Sequence, residues 1–207
     1  MNAIHLLSVV PGRAHPRTQD AEVSIEMLDD LAAELARIFQ VSCHVHEETF
    51  AADFAFDQVR SQFHSTAILQ RMQSLLNDAH AHILGVTNVD LHIPILTFVF
   101  GEAQLVGRCA VVSLHRLREE FYGLPANKNV LWDRLVKESV HELGHTLGLR
   151  HCADWRCVMA STHDVERLDL KSEAYCQSCL AAASLQPPVP RRSGILSEFR
   201  FLPPNTA

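Results

Sequence analysis

The first part of the chain alternates between the hydrophobic period of a strand and that of a helix. Ile4–Val10 is a short apolar run, β-branched near its end, which predicts a buried strand terminated at Pro11-Gly12. Asp20 is suited to cap a helix that runs to about Phe39. The apolar positions on one face of this predicted helix are Val23, Met27, Leu28, Leu31, Leu35 and Ile38.

The same alternation continues as far as Val86. Val41–Glu47 has the period of a strand, the stretch 57–78 contains a second amphipathic helix, and Ala81–Val86 reads as another buried strand. The apolar positions of the second helix are Ile68, Met72, Leu75 and Leu76. Because strands and helices alternate, we expect an α/β fold with a twisted, mostly parallel sheet.

The second half of the chain predicts a loop, a hairpin and one long helix. Asn88–Ile95 is the loop, and Leu96–Gln104 with Arg108–Leu114 are strands close enough to pair antiparallel, so that one of them forms a sheet edge. Asn127–Leu147 follows the helical period and ends before Gly148, a residue suited to the left-handed position after a helix. Beyond Gly148 no regular pattern is predicted, and the Pro-rich residues 184–207 are expected to be extended or loosely docked.

Composition limits the class of protein. With 207 residues and a hydrophobic fraction of 47%, the chain suits one domain or two tightly joined lobes. A formal charge of −6 argues against nucleic-acid binding, and no segment reaches the roughly 18 apolar residues of a membrane span. The first ten residues lack the features of an export signal, so we expect a cytoplasmic protein with reduced or metal-bound cysteines.

A cluster of metal-ligand residues lies at the end of the predicted long helix. His141 and His145 are four residues apart, so both imidazoles project from one helix face and can hold one metal ion. Glu142 lies between them, and Gly148 allows the chain to turn and return His151 as a third ligand. Three imidazoles leave one position of tetrahedral zinc open for water, as catalysis requires. The competing interpretation is a helix with two surface histidines, which the spacing of Gly148 and His151 disfavours.

Four of the six cysteines form a second candidate metal site. Cys152 and Cys157, followed by Cys176 and Cys179, offer four thiolates, the closed ligand set of a structural zinc. A redox or disulfide pair and free thiols are the alternatives. Cys43 and Cys109 fall in predicted strands and are expected to be small buried apolar residues. The pairs His44/His46 and His80/His82 each share one face of a strand and can bind metal, although exposed or hydrogen-bonded histidines are commoner.

The pattern His141-Glu-x-x-His-x-x-Gly-x-x-His151 resembles the metzincin zinc signature, and the cysteines that follow it resemble those of the archaemetzincins. The resemblance implies a two-lobed zinc peptidase. Its upper lobe would comprise residues 1–150 with the active-site helix, and its small irregular lower lobe residues 151–183. It also implies a methionine turn below the catalytic zinc, for which Met159 is the matching position, and a four-cysteine zinc in the lower lobe.

The expected reaction is hydrolysis of a peptide bond by zinc-activated water, with Glu142 as general base and proton carrier to the leaving amine. We therefore expect two zinc ions per chain and a peptide or protein substrate that lies extended along the strand near Leu96–Gln104. One alternative is a catalytically silent zinc protein that binds peptides in the same cleft. Another is an interaction module that uses only the cysteine zinc, in which the histidines are incidental.

Overall fold

The computed structural model describes residues 1–12, 22–75, 78 and 80–190, and its regular elements belong to an α/β fold. Within these residues the strands are β1 (Ala3–Val10), β2 (Ser42–Val45), β3 (Phe50–Ala51), β4 (Phe56–Asp57), β5 (Gln62–His64), β6 (Ala81–Thr87), β7 (Leu91–His92), β8 (Gly101–Ala103) and β9 (Cys109–Ser113). The helices are α1 (Ile25–Phe39), α2 (Ser65–Met72), α3 (Lys128–Thr146), α4 (Val165–Leu170) and α5 (Gln177–Ala182). Short 3₁₀ turns lie at 53–55, 73–75 and 119–122.

The main sheet has the order β2-β1-β6-β9-β8, and β3 pairs with the far end of β1. The pairs β1–β2, β1–β6 and β6–β9 are parallel, whereas β8 is antiparallel to β9 and forms one edge. A smaller sheet has the order β4-β5-β7. The prediction of a mixed, mostly parallel sheet is confirmed, and so is the hairpin with an edge strand.

The central strands are buried on both faces, which explains their continuous apolar runs. All seven residues of β6 and all five of β9 are buried. Alternate residues serve two cores: Leu84 and Val112 pack with apolar residues of α1 and α3, while Ile83 and Val111 pack with Met72 of α2. The sheet therefore lies between α2 on one side and the pair α1 and α3 on the other, and this arrangement fixes the position of α3.

Two predicted helices differ at their ends. The first begins at Ile25, because Ser24 supplies the N-cap by accepting a hydrogen bond from the backbone N–H of Met27; residues 22–24 are not helical, and Asp20 lies outside the described residues. The second is regular only over α2. It ends in a 3₁₀ turn in which Leu75 is exposed, and Leu76 lies outside the described residues.

The loop and hairpin predictions need a correction between residues 88 and 104. Part of the predicted loop is β7, which pairs with β5. Only 101–103 of the predicted strand Leu96–Gln104 are a strand of the sheet, and Val99 makes an isolated bridge to Leu91. Arg60 explains the irregular path, since its guanidinium donates hydrogen bonds to the carbonyls of Ile93, Pro94 and Leu96. Those carbonyls are therefore not free for a strand ladder.

No regular pattern is predicted after Gly148, and the structure adds two short helices there, α4 and α5. Each has six residues, too short to show a helical period in the sequence. The start of the tail is docked, as expected: Arg37 donates a hydrogen bond of 2.6 Å to the Val189 carbonyl, and Gln40 one of 2.9 Å to that of Pro187. Residues 191–207 lie outside the described residues. Among the described helices, none is long and apolar enough to cross a membrane.

Candidate metal centres

The predicted long helix is α3, and its boundaries follow from local chemistry. Asn127 is the N-cap, with its side-chain oxygen accepting hydrogen bonds from the backbone N–H groups of Asn129 and Val130. At the other end Gly148 has φ of 91°, a left-handed conformation that glycine adopts without strain. The N–H of Gly148 bonds to the His145 carbonyl, and that of Leu149 to the Gly144 carbonyl. This turn reverses the chain and returns it toward the helix.

The three predicted histidine ligands lie together at the end of α3. The ring centroids are 4.7 Å apart for His141 and His145, 5.4 Å for His141 and His151, and 5.1 Å for His145 and His151. One nitrogen of each ring lies within 4.8 Å of those of the other two. Nδ1 of His141 is 2.8 Å from the Val158 carbonyl and Nδ1 of His145 is 2.7 Å from the Leu149 carbonyl, so each can donate its Nδ1–H. Their Nε2 atoms, 3.1 Å apart, are then left with free lone pairs, as metal ligands require.

The surroundings keep these imidazoles neutral. Burial is the main cause that lowers the pKa of His141, His145 and His151, and the nearby ammonium group of Lys171 lowers all three further. A neutral imidazole is the ligand form for a divalent cation. The donor set, its protonation and its spacing therefore fit zinc.

Glu142 is buried beside this cluster, at the edge strand. Gly101 of β8 permits the approach: a methyl group on Gly101 would lie 2.7 Å from Cγ and 2.9 Å from Oε1 of Glu142. Burial raises the pKa of the Glu142 carboxyl well above its ordinary value, and Glu138 and Glu102 act in the same direction. Lys171 opposes them.

Lys171 and Glu138 form a buried ion pair next to the histidines, which the sequence reasoning missed. Lys171 Nζ lies 3.3 Å from Glu138 Oε1 and 3.4 Å from the Ala160 carbonyl oxygen. Glu138 precedes Glu142 by four residues, and this spacing on one helix face is a signal that was available. Lys171 had no such signal, because the residues after Gly148 show no pattern that brings it back to α3.

Met159 lies beneath α3, at the position expected of the methionine turn. Its side chain is fully buried, and a methyl group on Gly144 would lie 2.5 Å from Met159 Sδ. The Met159 carbonyl accepts a hydrogen bond of 2.9 Å from the N–H of Cys152. Nearby, Tyr175 donates its hydroxyl to the Val140 carbonyl at 2.7 Å. The methionine therefore packs directly against the turn of α3 that carries His141 and His145.

The four predicted cysteines form a second cluster. The Sγ atoms of Cys152 and Cys176 are 3.8 Å apart, as are those of Cys157 and Cys179, and all four lie within 4.8 Å of one another. A disulfide needs about 2.05 Å between sulfurs. Two thiolates on one tetrahedral zinc, each with a Zn–S distance near 2.3 Å, lie about 3.8 Å apart. The cluster therefore has the spacing of a zinc site rather than that of disulfides.

The two remaining cysteines and the pair His80/His82 lie outside these two clusters. Cys109 is buried, as expected, whereas Cys43 is only half-buried because β2 is an outer strand. Burial raises the pKa of both thiols to about 11, so they remain protonated. His80 and His82 do not form a ligand pair: His82 is buried with Nδ1 2.9 Å from Thr146 Oγ1, and His80 is exposed.

An open cleft of about 650 Å³ leads to the histidine cluster. One wall comes from the segment 96–103 including β8, and the other from the residues that follow Met159. The polar side chains that line it besides the three histidines are Thr97, Glu102, Glu138, Glu142, Arg150, Ser161, Thr162 and His163. A cluster of metal-binding side chains with an open approach and a buried carboxylate, on a helix below a mostly parallel sheet, defines the class of zinc-dependent hydrolases.

Known proteins agree with this class and make it specific. The model of peptidase family M54 matches residues 6–184. The archaemetzincin of Methanocaldococcus jannaschii is 43% identical over 159 residues, 77% of this chain and 86% of that protein. A solved zinc-dependent peptidase from Methanocorpusculum labreanum superposes with a TM-score of 0.75 at 30% identity, covering 87% of this chain and 99% of that one. The archaemetzincin of Archaeoglobus fulgidus, solved with malonate, gives a TM-score of 0.70 at 30% identity over the same shares.

The chain belongs to peptidase family M54, the family of the archaemetzincins, and is a zinc metallopeptidase.

Proposed function

We propose that His141, His145 and His151 hold the catalytic zinc and that Glu142 is the general base of peptide-bond hydrolysis. The observation that carries the proposal is the convergence of three ring nitrogens within 4.8 Å, beside a fully buried carboxylate at the floor of an open cleft. Zinc held there would supply Lewis-acid chemistry, which lowers the pKa of water and polarises the scissile carbonyl.

Glu142 would move the proton. Its carboxylate accepts a proton from the water that attacks the carbonyl carbon and then donates it to the nitrogen of the leaving amine. The burial that raises the pKa of Glu142 helps it to hold the proton between these two steps. A cation held by the three histidines would oppose this shift and favour the ionised carboxylate that the first step needs.

The cysteine cluster is proposed as a structural zinc site, which gives two zinc ions per chain. The lower lobe, residues 151–183, is too small to bury much apolar surface alone, and a metal can replace the missing core. The proposed cysteine site would also support the catalytic centre. Val158 follows Cys157 in the chain, and the Val158 carbonyl accepts the hydrogen bond that orients His141. The assignment of zinc to these four cysteines is supported by the Sγ–Sγ distance of 3.8 Å in each of the pairs Cys152–Cys176 and Cys157–Cys179.

Replacement of Glu142 by Gln is the direct test. The neutral amide keeps the volume but cannot accept the proton, so we expect turnover of a peptide library to fall by about 10³ to 10⁴-fold. Zinc content should stay at two ions per chain by elemental analysis. His145→Ala is the matched variant, since it should lose activity together with one zinc. Equal cleavage by wild type and Glu142→Gln would instead favour the silent peptide-binding protein, and activity that survives His145→Ala would favour the cysteine-only module.

The substrate is proposed to bind as an added strand along β8. This strand ends the main sheet among the described residues and lines the cleft next to Glu142, so its outer hydrogen-bonding groups face the substrate path. N-methylation of a substrate amide near the scissile bond should weaken binding by about 1 kcal/mol for each lost hydrogen bond. Competition assays with a series of singly methylated peptides measure this. Unchanged affinity at every position would rule out strand addition.

A further inference from the structure

Three histidines share one face of the sheet at its β1–β2 side, away from the catalytic cleft. His5 lies opposite His44 in the parallel register of β1 and β2, and His46 follows His44 by two residues. Partners in register point to the same face of a sheet, as do residues two apart along the chain. The sequence pattern identified His44 and His46 as one pair, but only the register adds His5.

His5 lies as close to each of the other two rings as the rings of the catalytic set lie to one another. The centroid of His5 lies 5.3 Å from that of His44 and 5.0 Å from that of His46, against 4.7 to 5.4 Å among His141, His145 and His151. Nδ1 of His5 is 2.8 Å from Nε2 of His46. One of these nitrogens must carry the proton that they share, and the other offers its lone pair.

We propose that His5, His44 and His46 form a third metal site, which binds a divalent transition-metal ion such as Zn²⁺, Ni²⁺ or Cu²⁺ at the β1–β2 side of the sheet. Imidazole nitrogen is a preferred ligand for each of these ions. The site would lie on strands, whereas the catalytic and cysteine sites lie on α3 and the segment that follows it.

Small adjustments would complete the site. Two nitrogens bound to one tetrahedral zinc are about 3.3 Å apart for Zn–N distances near 2.05 Å, so the 2.8 Å pair must open by about 0.5 Å. The three residues do not yet place one nitrogen each within 4.8 Å of the others, as the catalytic set does, so one ring must also rotate. His44 and His46 are exposed and free to do so.

The protonation of His5 supports the same conclusion. Burial lowers its pKa, and the neighbouring His46 and His44 lower it further, while Asp78 opposes them. At neutral pH the imidazole of His5 is therefore neutral, the form that binds metal. His5 Nδ1 and His46 Nε2 share one proton, and a bound metal ion would take the place of that proton between the two nitrogens.

Titration with Ni²⁺ of the protein loaded with two zinc ions per chain, with excess zinc removed, tests the proposal. Isothermal titration calorimetry should show one binding event that is at least about tenfold weaker in His44→Ala and in His46→Ala, since loss of a ligand exceeds loss of an outer contact. His80→Ala is the matched control, an exposed histidine outside the trio, and should bind Ni²⁺ like wild type. Paramagnetic Ni²⁺ should broaden the backbone amide NMR signals of 4–7 and 43–46.

Three outcomes would overturn the site. The first is no Ni²⁺ binding by the protein that holds two zinc ions per chain. The second is affinity that is unchanged in both His44→Ala and His46→Ala, or equally reduced in His80→Ala. The third is broadening centred on residues 141–151, with zinc released into solution, which would mean that Ni²⁺ exchanges into the catalytic centre.

Discussion

Replacement of Gly144 by Ala tests how closely Met159 packs under α3. Gly144 lies inside α3, one residue before His145, where alanine would ordinarily be the better helix former. In this protein the added methyl group would lie 2.5 Å from Met159 Sδ, 3.0 Å from the Tyr175 hydroxyl oxygen and 3.1 Å from Tyr175 Cε1. Both side chains are buried, so neither can move into solvent.

Two opposing terms set the magnitude. Alanine gains about 1 kcal/mol over glycine in a helix interior. Overpacking a well-filled core costs about 1 to 3 kcal/mol, because side chains leave their preferred rotamers or the backbone shifts. Gly144→Ala should therefore lower the free energy of unfolding by roughly 0 to 2 kcal/mol. Helix propensity acting alone would instead raise the free energy of unfolding.

A double-mutant cycle with Met159→Ala separates the two terms. Met159→Ala alone should cost about 2 to 5 kcal/mol through the cavity that it leaves. In that background the contact with Met159 is removed and only those with Tyr175 remain, so Gly144→Ala should become less destabilising, and at most stabilising by about 1 kcal/mol. The assay is urea unfolding in excess zinc, so that metal occupancy is the same in all four proteins. If Gly144→Ala stabilises the wild type as much as it stabilises Met159→Ala, the close packing inferred here is wrong.

Two further changes have expected outcomes. Burial lowers the pKa of the His82 imidazole from its ordinary value of 6.5 to about 4. The contribution of His82 to the free energy of unfolding is therefore complete above pH 6.5 and is lost as the pH falls toward 4. His82→Gln, which keeps a donor for Thr146, should make the unfolding free energy less dependent on pH between 7 and 5, with a limiting effect of about 3 kcal/mol; equal slopes for the two proteins would contradict this. Val106 is an exposed β-branched residue at φ of 58°, so Val106→Asn should raise the unfolding free energy by about 1 kcal/mol, whereas Val106→Thr should not. Thermal melts of the three proteins measure this, and equal melting temperatures would exclude backbone strain at Val106.

The parts of the site that could be predicted from sequence depend on local geometry. The positions of His141 and His145 follow from the helical period, and the return of His151 from the left-handed turn at Gly148. These rules act within about ten residues, so one sequence is enough to apply them. The alternation of apolar strands and helices, which is also a local pattern, predicts the mostly parallel sheet, and its parallel pairs are confirmed.

The parts that were missed depend on contacts between distant segments. Gly101 adjoins Glu142, and Lys171 adjoins Glu138, across separations of 41 and 33 residues that no periodic pattern connects. The His5 member of the histidine trio was missed for the same reason, because strand register links β1 to β2 across the whole of α1. Short elements such as α4 were missed for another reason: six residues are held by tertiary contacts rather than by their own propensity.

The two proposed lobes are joined by contacts between α3 and the residues after Gly148. Residues that follow Gly148 bond to α3 along much of its length: Arg134 to the Asp169 carboxylate at 2.7 Å, Lys137 to the Leu168 and Asp169 carbonyls, and His141 to the Val158 carbonyl. Arg134 is nearly completely buried and also pairs with Glu119, so removal of Asp169 would leave a buried cation with one of its two carboxylate partners. The proposed lower lobe therefore supplies hydrogen-bond partners that α3 needs, and α3 supplies much of the apolar surface that a segment of this size lacks. On this physical ground we expect residues 1–183 to unfold as one cooperative unit, with the cleft formed at the contact between the lobes.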